Sequence, residues 1–254
     1  MPEEVRIGVD VGGTFTDVVA LCDGELTVTK VPSTPDEPSG GVLDGTRAAL
    51  DAAGASPEGV SFLAHGTTVA TNAVLEGTWA DAALVTNEGF RDVLEIGRQD
   101  RPDLYDLTAS KPEPVVPRDR RFEVPGRLDE RGGELEPLDE AAVRDVAREV
   151  ADSDAEAVAV CLLFSFEDDA HERRVAEVVE AETDCPVSRS AAVLPEIREY
   201  ERSLATTLNA ALVPRMGRYL GELSSGLEDV GIEASLTVMQ SNGGTVSAAA
   251  ARRE

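Results

Sequence analysis

Val9-Asp10-Val11-Gly12-Gly13-Thr14-Phe15-Thr16-Asp17 joins two apolar runs, Val5 to Val9 and Val18 to Leu21, and reads as a β-hairpin closed by a glycine turn. Gly12 and Gly13 carry no Cβ and tolerate φ > 0, so consecutive N–H groups can face an anion. Thr14 and Thr16 add hydroxyl donors beside those amides. Asp10 cannot itself favour a phosphate, so its expected task is to hold Mg²⁺ or a metal-bound water. Asp17 either shares that task or caps the turn. The simpler alternative is a tight hairpin in which Gly-Gly serves geometry alone. Two threonines and two aspartates on one small turn favour the phosphate reading. No Gly-Lys-Ser/Thr follows, so this is not a Walker loop. A strand follows in place of a helix and Gly-x-Gly-x-x-Gly is absent, so it is not a dinucleotide fingerprint either.

A second candidate lies at His65-Gly66-Thr67-Thr68, where the buried strand Val60 to Ala64 turns into a helix, Val69 to Leu75. Free amides and the Thr67 and Thr68 hydroxyls at a helix N-terminus suit an anion or a carbonyl oxygen. In the structural alternative one threonine caps the helix and His65 is a hydrogen-bonded core histidine. His65 acts as a general acid or base only if its pKa stays near neutral and it reaches the reacting atom.

The 254 residues suffice for about two ordinary domains. With 42% hydrophobic residues the chain can bury a proper core. Its 49 acidic residues against 23 basic ones give a net charge of −26, and Lys30 and Lys111 are the only lysines. Such a surface repels nucleic acid and anionic membranes, which excludes both as expected partners. The acidity is dispersed along the chain, a pattern that fits a salt-rich, halophilic cytoplasm in which counterions screen self-repulsion. Cys22, Cys161 and Cys185 are far apart and odd in number, and read as small buried apolar residues in a reducing compartment. Met1-Pro2-Glu3-Glu4 opens no signal peptide and no long apolar run follows, so a cytoplasmic protein is expected.

Along the rest of the chain, Glu25 to Val31 is expected as a third strand ended by Pro32-Ser33-Thr34-Pro35, and Pro38 to Ala53 as a helix stopped by Gly54. Ala82 to Thr86 reads as a strand and Gly89 to Ile96 as a short helix, which would put Arg91 and Arg98 on one face, free to meet a substrate carboxylate or Asp92 and Glu95. Arg98, Asp100, Arg101, Asp103 and Asp106, followed by the prolines of Lys111 to Pro117, describe an extended excursion. Gly132-Gly133 marks a hairpin turn. From Asp139 the rhythm becomes helix, strand, helix, with Ala155 to Phe164 as a strand covered on both faces. Asp168 to Glu182 is an acidic amphipathic helix whose His171 has no cysteine near it and makes no zinc site. A long helical stretch, Pro195 to Leu227, is interrupted by Pro214; Leu204, Leu208, Leu212, Met216 and Leu220 form its core stripe, and Asn209 within it needs a partner. Leu236 to Gln240 is a last strand, and Arg252-Arg253-Glu254 closes what opens as a helix.

Asp10 to Asp17 resembles the first phosphate motif of the hydantoinase/oxoprolinase family, which sits in the actin-like ATPase superfamily. Three further stretches match that family in order: His65 to Ala73, Gly89 to Arg98, and Met239-Gln240-Ser241-Asn242-Gly243-Gly244. The resemblance implies an α/β fold, a mixed-sheet domain of the actin-like (ribonuclease H-like) kind with an N-terminal β-hairpin, followed by the start of a second α/β domain. It divides the chain into residues 1–190, the family's N-terminal domain, and residues 191–254, the beginning of its ATPase domain, as in an N-methylhydantoinase A-type subunit. It implies ATP and Mg²⁺ as cofactors, with Asp10 on the metal, Gly12, Gly13, Thr14, Thr16 and Asp17 on the phosphates, and His65, Thr67 and Thr68 in the same cleft. The implied activity is ATP-dependent opening of cyclic amides, by phosphorylating the amide carbonyl before water attacks. A hydantoinase B-type subunit, the C-terminal half of the A subunit and a small cyclic amide are the implied partners, in an oligomer. This stretch alone, with one phosphate loop, is expected to be inactive. The alternatives are a kinase or carboxylase of the same superfamily, or a non-catalytic assembly module.

Overall fold

The computed structural model describes residues 4–34, 37–100, 102–106, 108–241 and 243–252. Pro35, Arg101, Asn242, Arg253, Glu254 and the opening Met1, Pro2 and Glu3 lie outside the described residues. In chain order, β1 (Val5–Val11), β2 (Phe15–Cys22) and β3 (Glu25–Pro32) are followed by α1 (Pro38–Ala53), β4 (Val60–Thr67) and α2 (Val69–Glu76). Next come β5 (Ala82–Asn87), α3 (Val93–Ile96), β6 (Arg121–Val124), β7 (Arg127–Leu128), β8 (Glu134–Glu136) and α4 (Glu140–Ala151). Then follow β9 (Ala157–Cys161), α5 (Ala170–Glu182), β10 (Val187–Arg189), α6 (Ser190–Val193), α7 (Glu199–Val230), β11 (Leu236–Met239), β12 (Thr245–Ser247) and α8 (Ala248–Ala251). Among the described residues no helix is long and apolar enough to cross a membrane.

The chain forms two compact units, one from the residues up to Thr78 together with those from Arg215 onward, the other from Trp79–Pro214. The first is built on a six-stranded mixed sheet of order β12-β11-β4-β1-β2-β3. β1, β2 and β3 run antiparallel as a meander, while β4 lies parallel to β1 and β11 parallel to β4. The period-2 pattern of β1 sends Val5, Ile7, Val9 and Val11 to one face, where Val42, Ala49 and Leu50 of α1 and Leu220, Leu223 and Leu227 of α7 cover them. Each such large side chain, fully withdrawn from water, contributes roughly 1.5–3 kcal/mol. Gly54 ends α1 in the left-handed conformation (φ 64), as its position after the helical run predicts.

The second unit centres on a parallel sheet of order β10-β9-β5-β6 with the small β7-β8 hairpin beside it. Val158 and Val160 of β9 meet α4 and α5 on one side, and Ala157, Ala159 and Cys161 meet Ala210 and Ala211 of α7 on the other. β9 stops at Cys161, three residues short of the expected strand. The N–H of Leu162 goes to Glu172 Oε1 (2.9 Å) and that of Leu163 to Asn87 Oδ1 (2.7 Å), and Phe164 takes a left-handed φ of 59. Side chains have taken the donors a longer strand would offer to its neighbours. The expected helix Gly89 to Ile96 shrinks to Val93–Ile96, so Arg91 and Arg98 do not share a helix face. Arg91 stands 3.6 Å from Glu123, and Arg98 donates to Glu201 at 2.6 Å. Pro214 does not interrupt α7, which runs through it; the N–H that proline lacks would have gone to the Ala210 carbonyl, and the neighbouring Ala211 carbonyl accepts from the Ala80 N–H at 3.0 Å. Asn209 finds its partner in the Ser188 hydroxyl at 3.0 Å, and His171 Nε2 pairs with Glu134 at 3.0 Å.

Candidate phosphate cleft

The hairpin turn is held from behind by a residue 21 positions on from it. Ser33 donates its N–H to the Thr14 carbonyl (2.9 Å) and its hydroxyl to the Gly12 carbonyl (2.8 Å), and its Oγ stands 3.1 Å from Thr16 Oγ1. Thr16 is 1% exposed, so its hydroxyl fixes the turn from inside and does not face a ligand. The Gly12 N–H is likewise engaged, donating to the Phe15 carbonyl at 3.0 Å, and a Cβ at Gly12 would stand 3.1 Å from that same oxygen. These two positions depart from the expectation that their donors face the phosphate. The N–H groups of Gly13 and Thr14 and the Thr14 hydroxyl have no partner among the described residues and are the donors left for an anion.

Asp10 and Asp17 are opposite one another in the β1–β2 register. Asp17 is claimed by Lys30 of β3 at 2.8 Å, its directly opposed residue on that strand. Asp10 is exposed and its carboxylate has no partner among the described residues. It lies over Gly66 of β4, where a Cβ would stand 2.9 Å from Asp10 Oδ1. The glycine thus makes room for the carboxylate, and an unpaired carboxylate beside free amides fits a cation shared with phosphate oxygens. No group of three or more His, Cys, Asp or Glu residues able to hold a metal occurs among the described residues. Mg²⁺ needs no such cage, since it is commonly bound by one or two carboxylates with phosphates and water completing the shell.

His65 is fully buried, and its Nε2 stands 2.6 Å from Tyr219 Oη of α7. Burial pushes the imidazole pKa down to about 4, the Val9 backbone opposing this more weakly, and burial pushes the Tyr219 phenol up to about 12. The pair is therefore neutral across the ordinary pH range. His65 consequently stands as a core residue behind the turn and not as a group presented to substrate. Thr67 Oγ1 accepts from the Val69 N–H at 3.2 Å at the start of α2, and Thr68 Oγ1 reaches the Val11 carbonyl at 3.4 Å.

An open cleft of about 600 Å³ lies beside the turn within the first unit. Of the nine residues singled out from the sequence, Gly12, Gly13 and Thr68 line it; Asp10, Thr14, Thr16, Asp17, His65 and Thr67 do not. Its other polar walls are Ser33, Thr34, Asn72, Glu76 and Arg215; of these only Asn72 falls within a motif stretch, His65 to Ala73, and the sequence reading gave none of them a role in the site. Thr68, Asn72 and Glu76 recur every four residues and so form one stripe down α2, a spacing visible in the sequence. Arg215 is steadied by the Thr78 carbonyl and hydroxyl, each at 2.7 Å.

A mixed sheet whose first hairpin turns on Gly-Gly-Thr, with an unpaired aspartate at the end of its first strand, has the architecture of the actin-like ATPases. Residues 6–183 match the profile of the hydantoinase/oxoprolinase N-terminal region, and residues 202–254 match that of hydantoinase/oxoprolinase. The chain belongs to the hydantoinase/oxoprolinase family. It is 35% identical to caprolactamase subunit alpha of Pseudomonas jessenii, over 95% of this chain and 36% of that protein. To 5-oxoprolinase of Saccharomyces cerevisiae it is 32% identical, over 95% of this chain and 22% of the other. Two solved structures superpose closely. The ATP-dependent caprolactamase from P. jessenii gives a TM-score of 0.84 at 35% identity, covering 94% of this chain and 36% of that one. Nucleotide-free acetone carboxylase gives 0.83 at 28%, covering 99% and 38%. The chain spans about a third of the length of the first curated relatives it matches.

Proposed function

We propose that this chain is the N-terminal part of an ATP-dependent cyclic amide hydrolase, with residues 1–190 and 191–254 as its two family modules. The observation that carries the reading is the turn itself: unengaged Gly13 and Thr14 donors beside the unpaired Asp10 carboxylate, set in a sheet that superposes on an ATP-dependent caprolactamase. Mg-ATP bound there supplies the phosphoryl group that turns an unreactive amide carbonyl into one water can open. Asp10 holds the cation. The Gly13 and Thr14 N–H groups and the Thr14 hydroxyl hold the terminal phosphate and stabilise charge as it moves. Gly12 and Thr16 keep the turn in shape, Asp17 is fixed by Lys30, and Thr67 and Thr68 start the helix that forms the facing wall. The His65–Tyr219 pair positions β4 from the core.

A B-type subunit and further A-subunit chain complete the enzyme in this reading, in line with the subunit naming of the caprolactamase relative. A ketone carboxylase is the second reading, favoured by the acetone carboxylase superposition. Calorimetric titration of the chain with Mg-ATP in high salt tests the turn. Binding is expected, and Asp10→Ala is expected to abolish it; undiminished binding by that variant sinks the assignment. Phosphate release stimulated by a lactam, and not by a ketone with bicarbonate, in the protein assembled with its B-type subunit, separates the two readings.

A further inference from the structure

The stripe on α2 gives the cleft a second wall with chemistry of its own. Thr68 stands at the end nearest the glycine turn, Asn72 in the middle, and Glu76 one turn further on, all lining the cleft. Asn72 Nδ2 makes one long contact, to Thr68 Oγ1 at 3.4 Å. A carboxamide has two N–H donors and an acceptor oxygen, so Asn72 keeps one donor and its Oδ1 without a partner among the described residues. A small-ring amide is necessarily cis and presents its N–H and C=O on one edge. A primary carboxamide complements that edge with two hydrogen bonds, which a ketone, an alcohol or an N-alkyl lactam cannot both make.

We propose that Asn72 reads the cis-amide edge of the substrate ring, so that this cleft takes lactams bearing a ring N–H in preference to N-alkyl lactams and ketones. The inference rests on the phosphate reading of the neighbouring turn, whose Gly12 and Gly13 line the same cleft, so that a ring held there brings its carbonyl oxygen to the glycine side of the assigned phosphate site. Asn72 Oδ1 accepts the ring N–H and so pushes electron density onto that oxygen. Glu76 stands one turn further along α2 and Arg215 on α7, and neither takes part in reading the edge.

The test is ligand-observed NMR titration of the chain, in high salt with Mg-ATP present, using valerolactam, N-methylvalerolactam and cyclohexanone as probes. Valerolactam is expected to bind at least about tenfold more tightly than either of the others, the worth of one or two well-made hydrogen bonds. Asn72→Leu is expected to erase the preference, and Asn72→Asp, which keeps the N–H acceptor, to retain the discrimination against the N-methyl ring. Asn72 is partly exposed on a helix surface, so both variants are expected to fold, which circular dichroism checks. Absence of lactam binding, equal binding of all three probes, or a preference that survives Asn72→Leu overturns the inference while Mg-ATP binding is intact. Failure of the wild-type chain to bind Mg-ATP in the same samples overturns the phosphate reading first, and the subsite with it.

Discussion

His65 sits in a motif that invites a catalytic role, yet its ring is sealed against Tyr219 at 2.6 Å and its pKa lies near 4. Because the folded pKa is below the unfolded value of about 6.5, the unfolded chain takes up a proton first as pH falls. The histidine's contribution is thus complete above pH about 6.5 and is lost as pH drops toward about 4, amounting to roughly 3 kcal/mol at that end. Acid acts on the rest of the molecule as well, so the readout is a difference. Denaturant unfolding of wild type and His65→Asn between pH 7 and pH 4.5 is expected to show the steeper loss in wild type; parallel curves would mean the ring is not held neutral. At this scale the sequence disclosed the residue types of the turn but not their aim. Period and composition cannot say that Gly12 and Thr16 direct their donors inward, because Ser33, which holds the turn, follows only after β2 and β3. The Thr68, Asn72, Glu76 stripe was legible from its spacing, but shadowed by the stronger glycine motif.

Strands and helices were largely readable, since alternation in β1 and the unbroken apolar run of β9 follow directly from which faces are covered. The failures sit where a distant side chain replaces a backbone partner. What the sequence does not disclose is the burial of Arg202, one of the charged residues from Glu196 to Arg202 at the opening of the long helix. In the fold it is 1% exposed and stands 3.7 Å from Glu172, itself fully buried. Glu172 also accepts from the Leu162 N–H, the Ser165 and Ser190 hydroxyls and the Ala191 N–H, tying the end of β9, the start of α5 and the β10–α6 junction to the first turn of α7. Removing one member leaves the other charged, dry and unpaired. Glu172→Ala is expected to cost about 3–5 kcal/mol by chemical denaturation, and the double change Glu172→Leu with Arg202→Met is expected to recover only part of that loss, because the Leu162 and Ala191 N–H groups stay without their acceptor. A single variant within about 0.5 kcal/mol of wild type would mean that water reaches the pair.

For the molecule as a whole the governing term is charge. Forty-nine acidic residues face 23 basic ones, so even if every basic side chain found a carboxylate, more than half of the carboxylates would remain unpaired. The pairs that do form are mostly exposed, as with Arg47–Asp44 and Arg148–Asp145, and exposed pairs are worth little. Salt acts on both terms in opposite directions: it weakens those pairs and relieves repulsion among the unpaired carboxylates. Repulsion is the larger, because it sums over the whole excess while each exposed pair contributes about 0–1 kcal/mol at most. The compact chain holds these charges closer together than the unfolded one does, so screening favours the folded state. Thermal unfolding followed in KCl is therefore expected to show Tm rising steeply from about 0.05 to about 0.5 M, where the Debye length falls below the spacing of neighbouring charges. The rise should flatten beyond that. An equal rise with a neutral osmolyte of matched osmolality would assign the effect to exclusion from the surface and not to charge. A Tm that falls with KCl would show that pairing outweighs the excess, and the acidic composition would then need a cause other than screening.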